Sequence, residues 1–336
     1  MAAISPRPVV ETKPPSPQPK SKPPTTPTPE ISTLEHFTKF STDAYGLERL
    51  LRGIQSILQL LIAYPTLHHH VHETLRETLL PFTFFLHLHS SSPSSSSPAA
   101  KITGPSPTLQ ETRSRIALGR RFLRLFRFLE NFSASSTLFQ QAFADPTASK
   151  QKWAEAFSKS FNGLYYLLET VTFLDDLKVP GLSVCGRPLA KTLSVEAQRL
   201  WLFALVFGIV SGWLKVKKIA GEVSGLKRQM AADAKGAGRE KERSGETDIS
   251  GEIAARKEEQ RKELKKLKET RYKTIRRAIA DALDLPVPGS VIKWIPLPPG
   301  VVAVLMFFST WLTGLEVWEK CGKELVVAAK GKGKKD

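Results

Sequence analysis

His68, His69, His70 and His72, with Glu73 beside them and His87 and His89 nearby, are residue types that hold a transition metal. Ligation needs a fixed helical i, i+4 geometry and a supporting carboxylate shell, and without these a run of adjacent histidines is a weak signal, so a polar loop end is the expected reading. Asp175 and Asp176 could trade protons, but adjacent residues point in different directions and make no acid–base pair. They read instead as the close of a helix ending near Lys178. Phosphate-cradling GxxxxGK[ST] and GxGxxG loops and a GxSxG nucleophile turn are all missing, so an enzyme is not expected. The expectation is no catalytic residue, no cofactor and no metal. The chemistry on offer lies in RSRIALGRRFLRLFRFLENF, residues 113–132. At 100° per residue Leu118, Phe122, Leu125, Phe126, Leu129 and Phe132 form an apolar stripe roughly 120° wide. Arg113, Arg120, Arg124 and Arg127 gather opposite, Arg121 flanks the stripe, and only Arg115 falls within it. An aromatic-rich face backed by guanidinium groups suits a helix lying in a membrane interface, with phenylalanine among acyl chains and arginine at lipid phosphate.

The segments around it must place such a helix. Residues 1–30 hold ten prolines among Ser, Thr and Lys and cannot bury enough apolar surface to order themselves, so an extended tail is expected. Residues 31–89 read as an N-terminal helical region with a break near Ser41 to Asp43. Leu47, Leu50, Leu51, Ile54, Leu58 and Leu61 share one face of its second helix, and Pro65 stops it. An apolar helix over about 71–88, kinked at Pro81, follows. Residues 90–112 are a Ser/Pro-rich linker, with seven serines between 90 and 98.

Residues 113–214 carry the basic helix, a second helix over 149–178 with Trp153, Phe157, Phe161, Leu164, Leu168 and Val171 along one side, and a third from near Ser194. The last is uncharged from Leu200 to Leu214. Residues 215–285 form a charged, partly helical insert, supported by pairs such as Glu258 and Lys262. Residues 286–336 contain the uncharged run Trp294 to Leu315, helical from about Gly300, and a basic tail. Spanning takes about 20 apolar residues. The two runs are borderline in length, but both carry tryptophans suited to headgroup depth. The fold class expected is all-α: a membrane-associated helical bundle with amphipathic helices and one or two short hydrophobic membrane segments.

A net charge of +17 favours an anionic partner. Lipid fits better than nucleic acid, for which no aromatic stacking platform or groove-reading motif is present. Cys185 and Cys321, far apart and outside any metal-ligand spacing, argue for a reducing, cytosol-facing environment. No apolar signal-peptide core or C-terminal lumenal address is visible, so targeting to a membrane would rest on an internal signal. Between the apolar runs, residues 215–293 carry 21 Lys and Arg against 13 Asp and Glu, but that stretch is too long for its charge to orient the chain.

Several segments match one family in order. YGLERLLRGIQ resembles the first helix of the peroxin-11 family of peroxisomal membrane proteins, and IALGRRFLRLFRFLENF its basic amphipathic helix. YYLLETVTFLDDLKVPGL and SVEAQRLWLFALVFGIV are similar to the two helices that follow, and DLPVPGSVIKWIPLPPGVVAVLMFFSTWLTGLEVWEK to the closing membrane segment. They fall in the family's order between Tyr45 and Lys320. The proline-rich tail, the serine-rich linker and the charged insert depart from the family pattern. The resemblance implies a peroxisomal membrane protein that elongates and constricts the organelle and promotes its proliferation and fission. It also implies termini in the cytosol, self-association, contact with the organelle fission machinery and delivery by the peroxisomal membrane-protein import receptor. Two alternatives stay open: a helical scaffold on an organelle surface without bending activity, and a channel or transporter. The second would need polar residues inside the spans, where residues 200–214 and 300–315 offer only Ser and Thr.

Overall fold

Ser32 and Asp43 set the first two helices. In this computed structural model, which describes residues 32–71, 73–74, 107–144, 149–177, 179, 181, 183–243 and 249–332, the Ser32 hydroxyl accepts from the Leu34 amide and starts α1, Thr33–Thr42. Asp43 ends α1 with its own N–H, given to the Lys39 carbonyl. It then starts α2, Ala44–Ala63, accepting from the Tyr45 and Gly46 amides. The corner is so tight that a Cβ on Gly46 would lie 1.9 Å from the Phe40 carbonyl oxygen, which only glycine permits. The expected break at 41–43 is thus one carboxylate serving two helices. Pro65 does not stop helical structure altogether: Pro65–Val71 continues as a helix bent by 114° from α2. The helix expected over 71–88 and the serine-rich linker lie almost entirely outside the described residues, as does the N-terminal tail.

The remaining described helices are α3, Pro107–Phe122; α4, Arg127–Ala144; α5, Lys150–Asp176; α6, Arg187–Arg243; α7, Ile249–Asp284; α8, Pro286–Val291; and α9, Pro299–Lys332. Among the described residues there is no strand. The all-α expectation holds. Three boundaries move. α3 begins at Pro107, so residues 107–112 of the expected linker are helical. α6 begins seven residues earlier than Ser194, at Arg187, and runs unbroken through Gly221, Gly225, Gly236 and Gly238 of the charged insert. α9 starts where the prolines end, as expected, but continues past Leu315 to Lys332.

Packing closes these helices into a ring. α5 lies against α6, α6 against α7, α7 against α9, α9 against α2, α2 against α3, and α3 against α5, while α4 packs outside on α5. Small residues let the backbones approach: Ala204, Gly208 and Gly212 recur every fourth residue on α6, and a Cβ on Gly212 would stand 3.2 Å from that of Ala278 on α7. Two helices are long and apolar enough to cross a membrane, Arg187–Lys235 within α6 and Pro299–Ala329 within α9. α2 and Pro65–Val71 meet that test only as a bent pair.

The bundle buries charge alongside apolar residues such as Phe173, Leu202, Leu205, Val302 and Met306, and leaves large aromatic side chains outside. Glu48, Arg52, Arg120, Glu169 and Asp284 are buried, whereas Phe122, Phe126, Phe308, Trp213 and Trp311 are exposed. On α2 the buried positions are Gly46, Glu48, Arg52 and Ser56; of the leucine-rich face Ile54 is exposed and the leucines are half-buried, and Ile57 is exposed beside them. A burial pattern driven by water would hide the reverse set. The arrangement suits a surrounding of lipid.

Candidate membrane-facing edge and polar centre

The stretch 113–132 is not one helix. α3 ends at Phe122, residues 123–126 form turns, and α4 begins at Arg127. The backbone bonds there run i to i+3: the Arg124 amide to the Arg121 carbonyl at 3.0 Å, Arg127 to Arg124 at 3.0 Å, and Leu129 to Phe126 at 3.1 Å. The Leu125 carbonyl is taken instead by the Thr170 hydroxyl of α5, at 2.7 Å. At three residues per turn, Arg121, Arg124 and Arg127 come onto one face. The continuous helix expected from periodicity is therefore corrected to two helices joined by a tightened turn.

That face looks into the protein. Arg120, only 8% exposed, gives two nitrogens to Glu48 Oε1 at 2.7 and 3.2 Å and a third to Gln55 at 2.5 Å. Arg124 reaches Glu169 at 3.0 Å, and Arg121 pairs with Asp176 and lies 3.8 Å from Glu169. Glu169 also accepts from the Tyr165 hydroxyl at 2.8 Å. The Arg127 guanidinium stacks 4.2 Å over the Tyr45 ring. Of the arginines picked out by the helical pattern only Arg113, half-exposed on α3, makes no bond of this kind among the described residues. Arg115, within the stripe, is exposed and bonded to Glu111.

The apolar residues divide. Phe122, Phe126 and Leu129 stand clear at 63, 72 and 57% exposure. Leu118, Leu125 and Phe132 are half-buried. Phe132 fills a notch on α5 made by Gly163, where an added Cβ would meet its ring at 2.8 Å. What results is a short apolar edge, held from behind by ion pairs to α2 and α5.

Behind the edge the helical ring encloses a cavity of about 110 Å³. Its charged lining comes from α2 (Glu48, Arg49, Arg52), α3 and its turn (Arg120, Arg124), α5 (Lys159) and α7 (Arg277, Asp281, Asp284). Arg52 donates to Asp284 at 2.5 Å, and Asp284 also accepts from the Ser309 hydroxyl of α9. Burial pushes the Asp281 carboxyl above its usual range, against the pull of the adjacent Arg277. Apart from Arg120 and Arg124, none of these charges was anticipated from the pattern of residues. One signal was available: Glu48, Arg52 and Ser56 recur at i, i+4 inside a leucine-rich helix, a polar stripe that only a polar interior would bury.

Asp175 and Asp176 do face different ways, and each has a structural task. Asp176 holds Arg121. Asp175 closes the loop after α5, accepting from the Ser183 hydroxyl at 2.5 Å and from the Cys185 and Gly186 amides at 3.2 Å. Those donors, the Ser183 hydroxyl first, hold its carboxyl below the usual range. His68, His69 and His70 lie on the bent piece after α2, where His69 faces Glu73 at 3.7 Å. No metal-ligand cluster occurs among the described residues.

Fold and site together define a helical membrane-associated protein with an apolar exterior and a charged centre. Compared with known protein families, residues 94–318 match peroxisomal biogenesis factor 11 (PEX11). The chain belongs to this family, whose members are peroxisome biogenesis factors. Comparison with curated proteins and with solved structures returned no match.

Proposed function

We propose that this protein remodels the peroxisomal membrane, elongating and constricting it by wedging the edge at Phe122, Phe126 and Leu129 into the cytosolic leaflet while α6 and α9 anchor the bundle. The observation that carries this is the exposure of three large apolar side chains on a turn that internal ion pairs brace. Full burial of such side chains is worth about 1.5–3 kcal/mol each, and shallow insertion realises part of it. An arginine near an anionic surface adds about 1 kcal/mol. With Arg120, Arg121, Arg124 and Arg127 engaged internally, only Arg113 and Arg115 are placed to contribute, so insertion is driven by apolar contact more than by headgroup charge. A wedge tied to a rigid bundle expands one leaflet without tilting away. Many copies held together by self-association would add their curvature, and contact with the organelle fission machinery would complete division. Delivery through the peroxisomal membrane-protein import receptor accords with this family.

The test is reconstitution of the full chain into anionic liposomes followed by electron microscopy. The wild type tubulates them. Phe122→Ser with Phe126→Ser, matched for insertion and helix content, should lose most of that activity. Unchanged tubulation by the double variant would show that this edge is not the wedge, and a wild type that leaves the liposomes unchanged would put the scaffold without bending activity in its place.

A further inference from the structure

The central cavity opens into a wider cleft of about 700 Å³ between α2, α4, α5, α7 and α9. Six residues line both spaces and so form the throat between them: Arg49, Lys159, Asn162, Tyr166, Arg277 and Thr313. Charge is balanced on either side of it. Lining the inner space alone are three arginines, at 52, 120 and 124, and three carboxylates. The outer cleft alone has four cations and four carboxylates. The throat has three cations, three uncharged hydrogen-bonding side chains and no carboxylate.

Two of those three cations are poorly neutralised. Arg49 lies 3.5 Å from Glu48, whose other oxygen already serves Arg120. Lys159, half-buried, forms no ion pair or hydrogen bond among the described residues. Arg277 is shared between Asp281 at 3.2 Å and Glu316 at 3.6 Å. Just inside, Arg124 Nε is buried without a hydrogen-bond partner among the described residues. Glu48 Oε2 is likewise buried without a hydrogen-bond partner among the described residues, and it faces Arg49. Lys159 lacks a carboxylate and those of Arg49 and Arg277 are shared, so the throat keeps a net positive charge that an anion would neutralise.

We propose that this throat binds a phosphate group. Guanidinium and ammonium donors from three different helices, with the Tyr166 hydroxyl among them, converge as a tetrahedral oxyanion requires, and arginine matches phosphate geometry in particular. A water needs roughly 10–15 Å³ of such space, so the inner cavity has ample room for the group. Arg49 also borders an almost wholly apolar groove of about 440 Å³ on the outer face of α2 and α9, floored by Gly53 and Gly314. The phosphate therefore has two possible sources, a free solute entering by the cleft or a phospholipid whose chain lies in that groove. This site is independent of the membrane-bending reading.

The full chain, purified in an uncharged glycoside detergent, is titrated in one arm with inorganic phosphate and in the other with short-chain phosphatidic acid, with diacylglycerol as control. Readouts are thermal unfolding and acylation of the Lys159 amine mapped by mass spectrometry. Saturable stabilisation and at least tenfold slower labelling of Lys159 are expected. Protection by inorganic phosphate identifies a solute site, and protection by phosphatidic acid alone a lipid site. Arg49→Gln and Lys159→Gln should each weaken binding at least tenfold, and Lys262→Gln, on the exposed face of α7, should not. Failure of both ligands to protect Lys159 in the wild type, or undiminished binding by Arg49→Gln with Lys159→Gln, would overturn the proposal.

Discussion

Glu48 shows how much of this bundle depends on single charges. It is 1% exposed, accepts twice from Arg120 and lies beside Arg49. Removing it leaves two guanidinium groups facing each other out of water, whereas exchanging a whole pair for apolar groups of similar size need cost nothing. Glu48→Ala should therefore destabilise the protein by about 3–5 kcal/mol, and Glu48→Met with Arg120→Met by much less. Thermal unfolding in detergent compares the two. Asp175 works at the surface and is best read by pH. Its carboxyl titrates lower in the folded loop than in an unfolded chain, so its contribution is complete above the ordinary carboxylate range near pH 4 and vanishes as pH falls through the depressed folded value. Hydrogen-exchange protection at the Cys185 and Gly186 amides should persist at pH 6 and fade toward pH 2.5. In Asp175→Asn it should already be weakened at pH 6.

At the scale of elements, the turn at 123–126 decides the site. Its residues, Leu123 to Phe126, include no glycine or proline, and as a peptide they favour helix. The helix yields because the Thr170 hydroxyl takes the Leu125 carbonyl and because Asp176 and Glu169 draw in Arg121 and Arg124. Such causes are invisible to periodicity, since every one lies on another helix. Elements governed by their own residues were legible: the break at Asp43, the aromatic helix of 150–176, the start of α9 after its prolines. Phe122, Phe126 and Leu129, three residues of the expected apolar stripe, are exposed, whereas the arginines expected at lipid phosphate, Arg113 apart, turn to partners within the protein. Phe132 couples the edge to α5 through the Gly163 notch. Gly163→Ala should cost about 1–3 kcal/mol by overpacking and, by displacing α4, reduce liposome tubulation. A variant as stable and as active as the wild type would show that the notch is not structural.

For the whole molecule, the informative fact is charge within the core and large apolar side chains outside it. Six helices close around Glu48, Arg52, Arg120 and Asp284 as well as around apolar residues, and leave Phe122, Phe126, Phe308, Trp213, Trp311 and Ile54 exposed. A pattern of apolar residues places Leu47, Leu50, Leu51, Ile54, Leu58 and Leu61 on one face of α2 without saying which way that face turns. Two borderline apolar runs and a charge excess pointed to a membrane but not to a charged interior. In lipid this arrangement is stable, because the exposed apolar side chains meet acyl chains in place of water and Arg52, Arg120 and Arg276 each have a carboxylate. The apolar edge is then continuous in kind with the surfaces of α6 and α9, and differs only in lying on a turn between shorter helices.

Depth of the edge in the bilayer is the direct test. A nitroxide is attached at Phe126→Cys in full-length protein carrying Cys185→Ser and Cys321→Ser, reconstituted in anionic liposomes, and its collision rates with oxygen and with a water-soluble nickel chelate are measured. Position 126 below the headgroups, with oxygen collisions dominant, is the predicted result. A label at 126 as accessible to the nickel chelate as one at the exposed Lys262 would contradict the account.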